Sequence, residues 1–301
     1  MSSNAELGEA IATFVDDYSI EVTPHDAGKF DEITAELKPG TSVYVAHPPN
    51  MALSDVVEFA GKVQRAGFEA VPHIIARKLE SRAQLDAGLR QLRKLGVQRA
   101  LVVAGDIVVP DNAFDSSLEV LQTGLLSEHG FTDVGVAGHP EGSKAIGDDR
   151  AWQALLDKAA FARDTHLNVY IASQFGFDPG AITAWEAATS QAGVTLDVHV
   201  GMAGPASLRQ LARFAMLCGV GASARMLMTR AGATANLLKT QAPDELVTHV
   251  ARHKLSHPES RLTKPHFFAF GGVAKTARWA NAVREQRFVL NRQVTGFDVD
   301  S

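Results

Sequence analysis

The stretch Ser19–Gly28, SIEVTPHDAG, carries the reading of the fold. Residues 19–23 read as a β-strand, rich in β-branched side chains and followed by Pro24. What comes after the strand is as informative. EVTPHDAG lacks the glycine-rich turn that a doubly wound dinucleotide-binding sheet places after its first strand. The same alternation of a short apolar run with a longer amphipathic one recurs along the chain. Further strands are expected at SVYVA (42–46), AVPHII (70–75), RALVVA (99–104), DVGVAG (133–138), NVYIAS (168–173), TLDVHV (195–200) and HFFAF (266–270). Helical patterns lie between them, such as LSDVVEFAGKVQRAG (53–67), SRAQLDAGLRQLRKLG (81–96) and PASLRQLARFAMLCG (205–219). These offer caps at Ser54, Ser81 and Ser207 and closing glycines at Gly67, Gly96 and Gly219. Eight strands alternating with helices predict a single (β/α)8 TIM barrel over residues 1–301. The segment from Gly221 to Lys264 exceeds one crossover. Its patterns TRAGATANLLKT and PDELVTHVARHKLS predict extra helices before the last strand.

Composition narrows the function classes. The 301 residues are 46% hydrophobic, enough for a large core. With 29 basic and 34 acidic residues the net charge is -5, which gives no electrostatic case for nucleic acid or an anionic membrane. One cysteine, Cys218, excludes an internal disulfide framework and a cysteine metal cluster. The first residues are acidic, and no run approaches the ~18 apolar residues of a membrane span. A cytoplasmic protein acting on a small molecule is the default expectation, and the exposed helices of a barrel can form homo-oligomers.

Glu21 is the first informative residue. Ile20 and Val22 suit the helix-facing side of the strand, and alternation then sends Ser19, Glu21 and Thr23 inward. A lone carboxylate in a barrel interior is poorly solvated, so it tends to keep its proton near neutrality. Either Glu21 pairs with a base on another strand and serves structure, or it is a proton donor for chemistry.

Polar residues also collect at the expected C-terminal strand ends, where barrels of this kind place their sites. They are His47, His73, Asp106, His139, Glu141, Gln174, Asp178 and His199. One chemistry is metal hydrolysis, with His73, His139, His199 and Asp106 around a zinc-like ion, although no HxH or HExxH spacing supports it. Another is recognition of a flat polar heterocycle. Asp106 and Gln174 would meet the ring edges, and Phe175 and Phe177 would offer apolar faces or belong to the core. Asp178, before Pro179, is expected to cap a helix.

The ordered set of motifs resembles the methylenetetrahydrofolate reductase family. SIEVTP (19–24) resembles its first strand, VPHII (71–75) its third, and VVAGD (102–106) its LRGD strand end. VGVAGHPEG (134–142) resembles its AAYPE stretch, SQFGFD (173–178) its TQFFFD, HVGMAGPASLRQLARFA (199–215) its seventh strand and helix, and KPHFFAF (264–270) its last strand. The resemblance implies a barrel holding FAD at its C-terminal face. NADH or NADPH would reduce the flavin, which would pass hydride to 5,10-methylenetetrahydrofolate. Glu21 would be the general acid and Asp106 would lie between pterin and flavin. Gln174 would bind the pterin and Leu208 would stand over the folate. His73, Gly105, Ala137, His139 and Lys158 would contact the flavin, and no resident metal is implied.

The departures from the family pattern gather on the flavin. Ala104 stands where an arginine is usual, His139 where a tyrosine is, and Ser143 where a histidine is. Helix residues 150–164 offer chiefly Lys158 toward the dinucleotide. Leu208 replaces a phenylalanine and Phe268 a tyrosine. FAD bound through altered contacts is the preferred expectation. Direct hydride transfer from NADH to the folate is the alternative, followed by a metal-dependent hydrolase on the same barrel and a folate-binding or methyl-carrier accessory protein. No basic cluster for a 2′-phosphate is recognisable, which leans toward NADH.

Overall fold

A computed structural model of the chain describes residues 3–106, 111–143, 146–217, 240–270 and 272–299. Eight parallel strands close into a barrel in the order β1-β10-β7-β6-β5-β4-β3-β2. They are β1 (Ser19–Val22), β2 (Ser42–Val45), β3 (Glu69–Ile75), β4 (Arg99–Val103), β5 (Asp133–Gly138), β6 (Asn168–Ser173), β7 (Val198–Ala203) and β10 (Leu262–Phe268). The short strands β8 (Ala206–Ser207) and β9 (Thr240–Gln241) pair with each other, as do β11 (Phe288–Leu290) and β12 (Phe297–Val299). The interleaved helices make this the expected (β/α)8 architecture.

Two strands start three or more residues from where the sequence places them; the other barrel strands agree to within one residue. The seventh strand starts three residues later than expected and runs through Gly201 to Ala203. Gly201 reads as a breaker in sequence, yet here it lets two backbones approach closely. The last strand starts at Leu262, four residues before the expected His266. Pro265 argues against a strand interior, yet it is paired with Val200 of β7, one residue past a register shift between Leu262 and Lys264.

The helix ends are mostly those the sequence signals. Ser81 Oγ accepts from Gln84 N at 3.1 Å, and Gly67 and Gly96 close their helices at positive φ. Ser207 Oγ accepts from Gln210 N at 3.3 Å, whose own side chain returns to Ser207 N at 3.1 Å. The cap expected at Ser54 lies at Ala52 instead, because the Asp55 carboxylate reaches back to Ala52 N at 2.8 Å. Of the two extra helices expected before the last strand, Asp244–Ser256 is present. The other falls on residues 229–240, of which only Thr240 is described, and Cys218 and Gly219 also lie outside the described residues.

The chain divides into two compact units. One comprises Glu21–Gly138 and Trp152–Ala172. Its inward-facing side chains form layers along the strands. At the N-terminal ends, Arg99 lies 3.7 Å from Glu69 and 3.8 Å from Asp133 and donates to Ser42 Oγ at 3.3 Å. Asn168 donates to Asp133 at 2.7 Å. Above this polar layer Tyr44, Val71, Leu101 and Tyr170 pack together, and the two tyrosine hydroxyls share a 2.7 Å hydrogen bond. Gly135 makes room for them, since a Cβ there would lie 2.9 Å from Leu101 and 3.0 Å from Tyr170. Val22 is buried, as its outward assignment requires.

The other unit comprises Met1–Ile20, His139–Ala151 and Ser173–Ser301. Ser19 Oγ lies 3.0 Å from His266 Nδ1, and Lys264 pairs with Asp17 at 2.8 Å. The C-terminal stretch forms the β11–β12 hairpin, with Phe297 stacked on Trp279 at 5.8 Å. Glu186, only 5% exposed, accepts from His253 Nε2 at 2.9 Å, Ser260 Oγ at 2.7 Å and Arg261 N at 2.5 Å. It thus fixes the segment that leads into β10. Replacing Glu186 with Ala leaves three part-buried donors without their acceptor. We expect a loss of roughly 3 kcal/mol of unfolding free energy, read from denaturant midpoints at constant slope. A loss under about 1 kcal/mol would show that solvent reaches those donors.

Candidate active site

β1 turns Glu21 inward, as alternation requires, and there it meets His73 from β3: Glu21 Oε2 and His73 Nε2 are 3.5 Å apart. The side chains retain 20% and 13% exposure. Burial pushes the Glu21 carboxyl up from 4.5 to about 8. It pushes His73 down from 6.5 to about 3, with His47 adding a smaller effect in the same direction. Both shifts favour the neutral forms, so the pair at neutral pH is an acid beside an uncharged imidazole and not an ion pair. The Tyr44 ring meets the His73 ring edge-on at 6.2 Å. Burial, with Tyr170 and Glu21 contributing, holds the Tyr44 hydroxyl well above its ordinary range.

Backbone carbonyls tie the loops around this pair. Lys78 Nζ donates to Pro48 O at 2.9 Å, Pro49 O at 3.2 Å and Met51 O at 2.7 Å. His47 Nε2 donates to Met51 O at 2.9 Å. Arg77 joins the end of β3 to the end of β4, donating to Gly105 O at 3.0 Å and Asp115 O at 2.9 Å. Gly105 is required twice over, by φ +88° and because a Cβ would lie 2.3 Å from Ile75 Cγ2. Asp106 follows it, exposed, at the edge of the undescribed residues 107–110.

In the other unit, Gln174 is half-buried at the end of β6. Ser173 Oγ accepts from Gly201 N at 2.8 Å and donates to Gln174 O at 3.1 Å. Glu141 Oε1 accepts from Phe177 N at 2.9 Å and Asp178 N at 3.2 Å, which braces the QFGFD turn. Asp178 caps its helix as expected, accepting from Gly180 N at 2.9 Å and Ala181 N at 3.2 Å. Phe175 is buried core, ringed by Phe177, Phe268 and Phe270. Leu208 is buried with Ala203, Ala206 and Leu211, against Phe177 and Phe270. His139 and His199 are half-buried.

Among the described residues, no group of three or more His, Cys, Asp or Glu side chains could hold a metal ion. None of their helices is long and apolar enough to cross a membrane. The structure thus brings Glu21 together with His73, two residues the sequence placed in separate roles. Beside that pair it adds Tyr44 and Tyr170, which the sequence reading did not assign; in the other unit it adds Ser173, also unassigned, and gives Glu141, named among the strand-end residues, a bracing role. The tyrosines carried a usable signal, because alternation in SVYVA and NVYIAS already points both of them inward. Glu141 and Ser173 act through backbone atoms of distant loops, which no local pattern records.

These features define a (β/α)8 barrel whose first strand turns a half-buried carboxyl inward, its pKa pushed up to about 8 by burial. Comparison with family models places it further: methylenetetrahydrofolate reductase matches residues 52–255, and the chain belongs to that family. The match begins beyond Glu21 and takes in Asp106, His139, Lys158, Gln174 and Leu208. Among solved structures, a Clostridium thermocellum protein has the same fold, with a TM-score of 0.53 and 8% identity over 91% of this chain and 99% of that one. That protein is described as uncharacterized and as binding two copies of 5-methyl-5,6,7,8-tetrahydrofolic acid.

Several of the residues that the resemblance gives to a flavin bring no polar side chain to a dinucleotide or turn theirs elsewhere. Ala104, Gly105 and Ala137 bring no polar side chain. Lys158, 5% exposed, turns its Nζ to Ala137 O at 3.2 Å, and burial lowers its pKa to about 8. The nearby Arg77 and Lys78 are also spent on carbonyls. Among the described residues of this set, none presents a cation to a pyrophosphate. His73 is aimed at Glu21.

Proposed function

We propose that the chain reduces a 5,10-methylenetetrahydrofolate to its 5-methyl form, taking hydride directly from NADH or NADPH. Family membership supports the substrate class, and a neighbour of the same fold that binds 5-methyltetrahydrofolate agrees with it. The observation that carries the reading is the inward Glu21 carboxyl, 3.5 Å from His73 Nε2, whose pKa burial pushes up to about 8. Opening the five-membered ring needs such a proton. The Glu21 O–H bond breaks, an N–H bond forms at N10, and the electron pair of the C–N bond returns to that nitrogen. The carbon left on N5 becomes an iminium, and hydride addition makes it a methyl group. The chain's part is to hold the proton, keep water out and align the donor. Asp106 and Gln174 are the proposed pterin contacts, with Leu208 on the apolar side.

Direct transfer is preferred to a bound flavin because Lys158, the one cation assigned to the dinucleotide, is buried against a carbonyl. A co-substrate that binds and leaves needs a weaker hold than a resident dinucleotide. Purified protein is expected to lack the visible absorption of a flavin. It should oxidise NADH only when methylenetetrahydrofolate is present, at a rate unchanged by added FAD. A rate that requires FAD would return the flavin to the mechanism, and no folate-dependent oxidation would overturn the assignment.

A further inference from the structure

We propose that His73 is a positioning residue for the acid, its buried Nε2 accepting the carboxyl hydrogen of Glu21 and holding that group aimed until substrate arrives. This rests on reading Glu21 as the acid. The resemblance gives His73 to a flavin, and the geometry points elsewhere. His73 Nε2 is buried without a hydrogen-bond partner, and Glu21 Oε2 lies 3.5 Å away. Buried polar atoms are nearly always satisfied, so an orphan at a site calls for a use. The imidazole has little room to move: it sits on a central part of β3, against the edge of Tyr44, which is itself tied to the Tyr170 hydroxyl. The carboxyl is the more mobile partner, and a shift of a few tenths of an ångström brings it within hydrogen-bond range.

The proton inventory agrees. Burial raises Glu21 and lowers His73, so the two groups share one proton across the neutral range and it resides on the carboxyl. The imidazole then offers a lone pair to an O–H donor. The other titratable groups here are Tyr44 on β2, whose hydroxyl keeps its proton, and His47 just beyond β2, which burial holds below its usual range. Neither places a positive charge that would draw the proton off Glu21. When the acid acts, the O–H bond breaks and the hydrogen bond to Nε2 is released. The substrate nitrogen gains the proton, the carboxylate carries the charge, and a proton from solvent restores the pair.

Difference infrared titration reads the pairing without turnover. The wild type should show a protonated carboxyl band that persists to about pH 8 and is absent from Glu21→Gln. In His73→Phe, which keeps a ring but removes the acceptor, the band should move to higher wavenumber. His73→Leu serves the same purpose if the phenylalanine variant does not fold. His73→Gln, whose amide oxygen can accept, should leave the band near its wild-type position. In turnover, His73→Phe should lower kcat about tenfold, a fraction of what a placed acid supplies, with KM for the folate unchanged. His73→Gln should recover most of the loss. A band that does not move in His73→Phe overturns the pairing even if the chain reduces folate. A band that moves in a chain reducing no folate upholds the pairing and overturns the proposed function instead.

Discussion

Glu21→Gln should abolish folate reduction while leaving the protein folded and able to bind folate. Glutamine keeps the shape and a hydrogen-bonding head group, but it cannot release a proton at any accessible pH. General acid catalysis by a placed group supplies roughly 10²–10⁴ in rate, so kcat should fall by that factor. KM for the folate should stay within a few-fold, because the substrate's ring edges are assigned to other residues. The wild-type rate should hold from acid pH to near neutrality and fall as pH rises past about 8, where the carboxyl loses its proton. Turnover in the variant within tenfold of wild type would sink the acid assignment.

The same residue links activity to stability. Its folded-state pKa lies above the ordinary 4.5, so between about 4.5 and 8 the folded chain binds more protons than the unfolded one. Stability therefore falls as pH rises through that window. A shift of this size corresponds to roughly 5 kcal/mol at most once the pH is above 8. Glu21→Gln removes the slope, so the inactive variant should outlast the wild type at alkaline pH. A site that costs stability and gains chemistry is what a functional carboxyl predicts; a structural ion pair predicts the reverse sign.

Much of this was legible in the sequence, for identifiable reasons. Strands β1 to β6 could be read because each is a short apolar run bounded by turn residues, and alternation fixed which side of β1 faces inward. The orientation of Glu21 follows from Ile20 and Val22 alone. Partners across the barrel were not legible. His73 and Glu21 are 52 positions apart in the chain, and nothing local to either records that they meet. Lys158 looked available to a phosphate because a sequence gives a charge but not its direction; the fold turns it to Ala137 O. The boundaries of β7 and β10 were misplaced for a related reason. Gly201 and Pro265 act as breakers in local statistics, and only the pairing of the two strands shows that each lies inside one.

Gly201 supports the second large effect. A Cβ at this position would lie 2.3 Å from Ser173 O and 2.7 Å from both the carbonyl carbon and oxygen of Gln174. All three are backbone atoms, so no rotamer change relieves the contact. Gly201 N also donates to Ser173 Oγ at 2.8 Å, and Gly201 O accepts from Gly176 N at 3.3 Å. Gly201→Ala must therefore push the β6 end away and loosen both ties together. We expect roughly 3 kcal/mol of destabilisation, at the upper end for overpacking because main chain has to move. We also expect a rise of at least about tenfold in KM for the folate, because Gln174 shifts with its own backbone. Gly176→Ala is the matched control. Its Cβ would meet Glu141 Oε1 at 2.5 Å, the far end of a side chain that can swing away. It gives up the Glu141 bonds to Phe177 N and Asp178 N but forces no main-chain shift at Gln174, so it should cost less in stability and raise the folate KM less than Gly201→Ala. If Gly201→Ala melts with the wild type and keeps its folate KM, then Gln174 is not held by this contact. The pterin would in that case be recognised by other groups.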